Sequence, residues 1–259
     1  MPTASNDGVS LFYAVEGDGP PVVFVAEAGL GGWSWGWQHR AVCGPYRSVV
    51  WDLRGTGRSD RPPGPYALST LVEDLETVLR AVDAGNAHVA GAGLGGAIAL
   101  RAARESTRVE SIAVIGTPAR ADAVDGDALV VDRDRSNALR ESTEAILSRE
   151  FRSAQPDVVD GIVEWRRDGD ADAAGTRDQL AALEGYDATD WGYEVTQPVL
   201  VLHGTDDAVV PVESGERLAD SLPRGEFRPI DGAGHLPQIE RSRALNDYVR
   251  GFLEDRADE

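Results

Sequence analysis

The chain has 259 residues and a formal net charge of −19, with 44 aspartates and glutamates against 25 arginines and no lysine. A surface this acidic repels nucleic-acid phosphates and anionic lipid headgroups, so we expect no nucleic-acid partner and no membrane partner. No apolar run approaches the roughly 18 residues that a membrane-spanning helix needs. Length and the lack of a leader segment predict one cytoplasmic α/β domain with an inserted subdomain, as a monomer or a homodimer.

Short runs of nearly continuous apolar residues recur along the chain. Continuous rather than alternating apolar character predicts strands that are buried on both faces, as in a parallel sheet. The runs are “PPVVFVA” (20–26), “RSVVWD” (47–52), “AHVAG” (87–91), “ESIAVIG” (110–116) and “QPVLVLHG” (197–204).

Helical patterns lie between and after these runs. In “LSTLVEDLETVLRAV” (68–82) and “RALNDYVRGFL” (243–253), the apolar residues fall on one helical face. Strand and helix alternate in this way in a mostly parallel, doubly wound sheet. Residues 119–191 differ, because they are acidic and helix-like without a strand run. We therefore predict a core of residues 1–118 and 192–259, with a helical cap of residues 119–191 that acts as a lid.

The segment “HVAGAGLGGAIAL” (88–100) has the pattern of a strand that turns sharply into a helix. Its spacing matches the nucleophile elbow G-x-S-x-G, with Gly91 and Gly95 at the two glycine positions. The middle position, where that motif carries an attacking serine, is Gly93.

Five segments together resemble, in order and spacing, the motifs of the α/β-hydrolase fold. The resemblance covers nearly the whole chain, and the five motifs are specific only jointly. They are “EAGLGG” (27–32, called the oxyanion loop below), “WDLRGTGRSDRP” (51–62), “GAGLGG” (91–96), “HGTDDAVVP” (203–211) and “GAGHLPQIE” (232–240).

The resemblance implies a role for several residues. Asp207 matches the acid of the catalytic triad and His235 matches its base, in the family's chain order. The backbone N–H groups of Leu94 and Leu30 are expected to form the oxyanion hole. Glu27 stands in a variant of the oxyanion loop, and we expect it to be structural rather than catalytic.

Gly93 is the departure from the family pattern. A nucleophile elbow holds its central residue in a strained conformation, which glycine adopts at little cost. The elbow is therefore expected to persist without a hydroxyl group, leaving space for about one water beside His235. An acyl-serine intermediate cannot form there. Ser34 lies near the oxyanion loop, but we do not expect it to be a displaced nucleophile.

Four functions are compatible with this pattern. The leading one is an enzyme in which Asp207 and His235 form a general base for non-covalent chemistry on a hydrophobic carbonyl compound, in secondary metabolism. Elimination, epimerisation, lyase-type cleavage, cyclisation and cofactor-free oxygenation belong to this class. The alternatives are direct hydrolysis of an ester or lactone by activated water, a serine hydrolase inactivated by substitution, and a ligand-binding protein without chemistry.

Aromatic residues predict a hydrophobic substrate pocket. Trp33 and Trp35 lie near the oxyanion loop, and Trp165 and Trp191 lie in the cap region, so we predict that these four line the pocket. The only cysteine, Cys43, cannot form an internal disulfide or a cysteine-rich metal site. We expect it to be a small buried residue, and we expect no metal and no cofactor. We expect the other histidines, His39, His88 and His203, to be structural.

Overall fold

Eight strands form one sheet through the centre of the structure, which is a computed structural model describing residues 2–257. The strand order is β1-β2-β4-β3-β5-β6-β7-β8. β2 pairs antiparallel with β1 and with β4, and all other neighbouring pairs are parallel. The strands are β1 Thr3–Asn6, β2 Val9–Glu16, β3 Pro21–Val25, β4 Arg47–Trp51, β5 Ala87–Ala92, β6 Val109–Ile115, β7 Val199–Gly204 and β8 Gly225–Ile230.

Helices cover both faces of this sheet. The α-helices are α1 Gly36–Val42, α2 Leu68–Ala81, α3 Leu94–Glu105, α4 Ala138–Ile146, α5 Arg149–Ala154, α6 Pro156–Gly169, α7 Ala173–Leu180, α8 Val212–Asp220, α9 Pro237–Glu240 and α10 Ser242–Ala257. Short 3-10 helices span Gly32–Trp35, Ala121–Ala123, Gly126–Ala128, Ala181–Leu183 and Gly192–Glu194. No helix within residues 2–257 is both long enough and apolar enough to cross a bilayer.

The hydrophobic core has two parts, one on each side of the sheet. Successive side chains of a strand point to opposite faces, so on β3 Val23 joins a cluster with Leu75 of α2. The next residue, Phe24, joins a second cluster with Leu245 of α10. Fully burying one such side chain stabilises the fold by about 1.5–3 kcal/mol. The sheet is therefore buried on both faces, as the continuous apolar runs predict.

The predicted fold class is confirmed, since the sheet is mostly parallel and flanked by helices. The sequence patterns do not predict β1, β2 and β8, which lie towards the two edges of the sheet. β8, for example, has a mostly partly exposed pattern and contains Pro229, so it lacks a continuous apolar run. The helices α4 to α7 lie between β6 and β7, and their assignment to a lid of residues 119–191 stays a prediction.

Candidate active site

The turn from β5 into α3 places Gly93 at the carboxyl end of a central strand. Gly93 has φ +49° and ψ −113°, a backbone conformation that side-chain-bearing residues rarely adopt. Its N–H donates to the carbonyl of Ile115 on the neighbouring strand, at 2.9 Å. Gly95 packs so closely on β3 that a Cβ there would overlap the carbonyl of Val25. The sharp turn predicted from the glycine spacing is therefore present.

The side chain of Glu27 fills the space beside Gly93. A Cβ atom built on Gly93 would overlap Oε2 of Glu27. Oε1 of Glu27 accepts hydrogen bonds from the backbone N–H groups of Ala28, at 2.5 Å, and Leu94, at 3.0 Å. Oε2 lies 2.9 Å from Nε2 of His235. One carboxylate thus contacts two backbone donors and the histidine together.

Asp207 holds the other side of the His235 ring. Its Oδ2 lies 2.9 Å from Nδ1 of His235 and 3.1 Å from Nε2 of His203. Its Oδ1 accepts hydrogen bonds from the N–H groups of Val209, at 2.8 Å, and Val210, at 2.9 Å. The Asp207 carboxylate is therefore fixed in position, and it fixes the orientation of the imidazole.

These contacts set the charge of the site. Burial alone would lower the pKa of His235, but the charge of Asp207 and hydrogen bonds with Asp207 and Glu27 raise that pKa from 6.5 to about 10. Burial would raise the pKa of Asp207, but the charge of His235 and hydrogen bonds from His203 and His235 hold it well below its usual range. A carboxylate oxygen beside each ring nitrogen favours the imidazolium form, in which both N–H groups donate to carboxylates.

The whole centre is closed to solvent. The side chains of Glu27, His235 and Asp207 are 4%, 1% and 0% exposed. Charge interactions are stronger in such a buried site than in water. A small molecule could therefore contact Glu27 only after a movement of the surrounding chain.

Residues of the predicted lid hold the oxyanion loop from outside. Oε1 of Gln179 on α7 accepts from the N–H of Gly29 at 2.6 Å, and Ala171 N–H donates to the carbonyl of Gly29 at 2.9 Å. Oδ1 of Asp170 accepts from Gly31 N–H at 3.1 Å. Movement of this segment would change the position of the oxyanion loop and so of Glu27.

Comparison with known proteins agrees with this architecture. The profile of the family described as alpha/beta hydrolase fold matches residues 20–242. The chain belongs to the α/β-hydrolase-fold family. It is 28% identical to “Putative carbamate hydrolase RutD” of Azorhizobium caulinodans, over 97% of this chain and 98% of that protein. It is 27% identical to 3-oxoadipate enol-lactonase 1 of Acinetobacter baylyi, over 96% of this chain and 95% of that protein.

Solved structures of α/β hydrolases superpose on nearly the whole chain. A thermophilic esterase from Thermogutta terrifontis has a TM-score of 0.85 at 26% identity, covering 98% of this chain and 97% of that chain. An enol-lactonase from Burkholderia xenovorans has a TM-score of 0.86 and covers 98% of this chain and 100% of that chain. At 24% identity, this second likeness shows the fold alone.

Of the two backbone N–H groups predicted to form the oxyanion hole of this α/β hydrolase, one points into the site and the other does not. Leu94 N–H points to Glu27, as described above, but Leu30 N–H donates to the carbonyl of Glu27 at 3.1 Å. The second donor in the site is Ala28 N–H. The prediction of Leu30 is therefore wrong, because the tight turn of the oxyanion loop uses its N–H internally.

The space beside Gly93 differs from the one that the sequence predicts. The space predicted for a water beside Gly93 is filled by the Glu27 carboxylate. Glu27 therefore lies at the centre of the site, in contact with His235. An acidic residue directly after the first buried parallel strand, together with a glycine in place of the elbow serine, is the sequence signal for this arrangement.

The four predicted tryptophans do not form one pocket. The rings of Trp33 and Trp165 are tilted by 41° with centroids 6.0 Å apart, and both border a cavity of about 440 Å³. Trp35 is fully buried, because it packs against Phe24 in the core. Trp191 borders a different cavity of about 420 Å³. Neither cavity is lined by Glu27 or His235, so the prediction of a single tryptophan-lined pocket is wrong.

The remaining histidines and Cys43 have local hydrogen-bond partners. Nδ1 of His39 lies 2.6 Å from Oγ of Ser48, and Nδ1 of His88 lies 2.8 Å from Oγ of Ser111. His203 contacts Asp207, so it supports the acid of the site. Cys43 is only partly buried and lies near Glu16 and His39, a trio of possible metal ligands. Burial raises the pKa of the Cys43 thiol, which disfavours the thiolate that metals bind.

Proposed function

We propose that this α/β hydrolase is an enzyme that acts on a small hydrophobic organic compound without a serine nucleophile. Its reaction centre consists of Glu27, His235 and Asp207. One observation carries the proposal: the Glu27 carboxylate occupies the space beside Gly93 and contacts His235 and two backbone N–H groups at once. The words hydrolase and lactonase in the names of its relatives support hydrolysis as the reaction class.

The protonation state of His235 restricts its role. An imidazolium cannot accept a proton, so His235 is not a general base in the resting protein. It acts first as a proton donor, and it becomes a base only after its Nε2 proton has left. This order differs from that of a serine hydrolase, in which the neutral histidine first accepts the proton of the serine.

The predicted lid would control access to this buried centre. Because Glu27 and His235 are buried, opening of residues 119–191 would admit substrate, and closing would exclude bulk water. The hydrogen bonds that Gln179 and Asp170 accept from backbone N–H groups of the oxyanion loop support this role. Exclusion of water strengthens the interactions of charges inside the site.

A second candidate function is proton abstraction from a carbonyl compound by Nε2 of His235, whose own proton first leaves on the departing Glu27 carboxylate, with the enolate oxygen bound by the N–H groups of Ala28 and Leu94. The hydrogen bonds of these donors to one carboxylate oxygen favour it, because an enolate oxygen carries similar charge. Here Glu27 must leave the site to make room. Glu27→Ala should therefore increase activity by this route, whereas it should abolish activity if Glu27 belongs to the reaction centre.

The experiment has two parts. First, the protein is treated with a fluorophosphonate probe, which requires an activated serine, and analysed by mass spectrometry. We expect no labelled serine; stoichiometric labelling of one would contradict the proposal. Second, turnover of hydrophobic esters, lactones and epoxides is compared in Glu27→Gln, His235→Gln and the control Glu226→Gln, which lies on β8 outside the site and has a side chain that is 44% exposed. The first two variants should lose activity about a thousandfold, and the control should keep it.

A further inference from the structure

Resting on the proposed function, we propose that Glu27 is a nucleophile that opens an epoxide, so that the substrate is a small hydrophobic epoxide and the product is a diol. The position of Glu27 supplies the first reason. Oε2 accepts one hydrogen bond, from His235, among the described residues. A carboxylate oxygen has two lone-pair directions, so one remains for attack on carbon.

Because Glu27 already occupies the two backbone N–H donors, these donors restrict which kind of substrate carbon Glu27 can attack. Attack on an ester or amide carbonyl needs room for the substrate oxygen between the N–H groups of Ala28 and Leu94, where Oε1 of Glu27 already lies. Attack on a saturated carbon needs no such room. It produces a glutamyl ester whose carbonyl oxygen is Oε1 itself. The two N–H groups then stabilise the oxyanion that forms when water attacks this ester.

The proton on His235 restricts which leaving group fits the first step. Two carboxylates hold its proton in the resting state. When Glu27 becomes an ester, its charge is lost and the imidazolium loses one of its two acceptors. A halide leaving group is too weak a base to take the released proton, whereas the alkoxide of an opened epoxide is a strong one. An epoxide therefore leaves His235 neutral, which is the state that the second step requires.

The two steps balance in atoms and protons. First, a bond forms from Oε2 of Glu27 to an epoxide carbon, the ring C–O bond breaks, and the alkoxide takes the Nε2 proton of His235, directly or through one water. Second, water gives a proton to His235, and its hydroxide adds to the ester carbonyl carbon. The bond from this carbon to the alkyl oxygen then breaks, and the diol oxygen takes the remaining hydroxyl proton. Glu27 and His235 return to their starting charges.

The isotope experiment uses the wild-type protein in excess over styrene oxide or phenyl glycidyl ether, in water labelled with the heavy oxygen isotope. Because water attacks Glu27 and not the epoxide, the first turnover should place the label in Glu27 and leave the diol unlabelled. Mass spectrometry of the diol and of the peptide containing Glu27 measures both. Label in the first-turnover diol, or no diol from either epoxide, would overturn the proposal.

Trapping supplies an independent readout. His235→Gln removes the base of the second step and also the proton donor of the first, in which water must then protonate the alkoxide. Ring opening should therefore be slower but still occur, so one epoxide mass should accumulate slowly on Glu27, and it should be absent in Glu27→Gln. Circular dichroism shows whether both variants are folded, and the isotope result does not depend on them. An adduct equally present in Glu27→Gln would overturn the proposal. If the epoxide proposal fails and no serine reacts with fluorophosphonate, the proposal of a serine-free reaction centre still holds. A labelled serine would contradict both the epoxide proposal and the serine-free reaction centre.

Discussion

The side chain of Glu27 and a side chain at position 93 exclude each other, because Oε2 of Glu27 lies where the Cβ of residue 93 would be. In an α/β hydrolase with an elbow serine, that serine would contact the histidine and an oxyanion would contact the backbone donors. Here one carboxylate makes both kinds of contact. Gly93 is thus the residue that a carboxylate at position 27 requires.

Restoring a serine should therefore require two changes. Gly93→Ser alone should destabilise the fold by about 1–3 kcal/mol from backbone strain, with a further cost for displacing Glu27. In the double variant Glu27→Ala, Gly93→Ser, the new hydroxyl would have room beside His235 and the N–H groups of Ala28 and Leu94. Mass spectrometry after fluorophosphonate treatment should show labelling of Ser at position 93 in the double variant. Equal labelling of the single variant would show that Glu27 leaves the site freely.

Stability should depend on pH through His235. The His235 imidazole has a pKa of about 10 in the folded protein and of about 6.5 in the unfolded chain. The contribution of His235 is therefore complete below about pH 6.5 and is lost as the pH rises through 10, by at most about 1.4 kcal/mol per pH unit. Denaturant unfolding across this range measures the slope. Glu27→Gln should reduce the slope, and an unchanged slope would show that Glu27 does not support the imidazolium.

Asp207 should act in the opposite direction. Because its pKa is lowered in the folded protein, its contribution is present above the ordinary aspartate pKa of 3.8 and is lost as the pH falls through the folded value. Asp207→Asn should therefore flatten the loss of stability in acid. Thermal unfolding of both proteins at a series of acidic pH values tests this. The same acid sensitivity in the variant would place its origin elsewhere among the carboxylates.

Gln179 of α7, in the predicted lid, should stabilise the oxyanion loop. Its Oε1 accepts from Gly29 N–H, and its Nε2 donates to the carbonyl of Arg54 and to Oγ1 of Thr56, both at 2.7 Å. Gln179→Ala leaves buried partners unsatisfied, which costs about 1–3 kcal/mol. Denaturant unfolding should show this loss, whereas the exposed control Gln155→Ala should stay near wild type. An equal effect of the two substitutions would contradict the role of Gln179.

Two tryptophans predicted for one pocket should respond differently to truncation. Trp35 is 0% exposed and Trp165 is 45% exposed. Trp35→Ala should lower the free energy of unfolding by about 3–5 kcal/mol, because it leaves a cavity in the core. Trp165→Ala should cost less than about 1 kcal/mol. Chemical denaturation measures both, and equal costs would contradict the assignment of Trp35 to packing.

The fold was predictable because its signals are local and repeated. Apolar runs and glycine spacings identify the central strands and the turn at Gly93 without knowledge of distant contacts. The site was only partly predictable. Asp207 and His235 lie in sequence motifs and meet in the structure at 2.9 Å. Glu27 joins them only because β3 and β5 are neighbours in the sheet, which brings residue 27 beside residue 93.

Backbone donors and pockets were the least predictable features. Whether Leu30 or Ala28 points its N–H into the site depends on the turn of the oxyanion loop, which the glycine-rich sequence does not specify. The burial of Trp35 depends equally on the rotation of one short 3-10 helix against Phe24. Such choices are made by tertiary packing, and composition alone does not contain them.

Nitrogen NMR of the His235 ring tests the central claim, the buried pairing of Glu27 with His235, most directly. The chain contains four histidines, and comparison with His235→Gln assigns the signal. At about pH 8, where an ordinary histidine is neutral, both ring nitrogens of His235 should carry a proton, and Glu27→Gln should shift its titration to lower pH. An unprotonated Nε2 in the wild-type protein, or a titration unchanged in Glu27→Gln, would contradict the account.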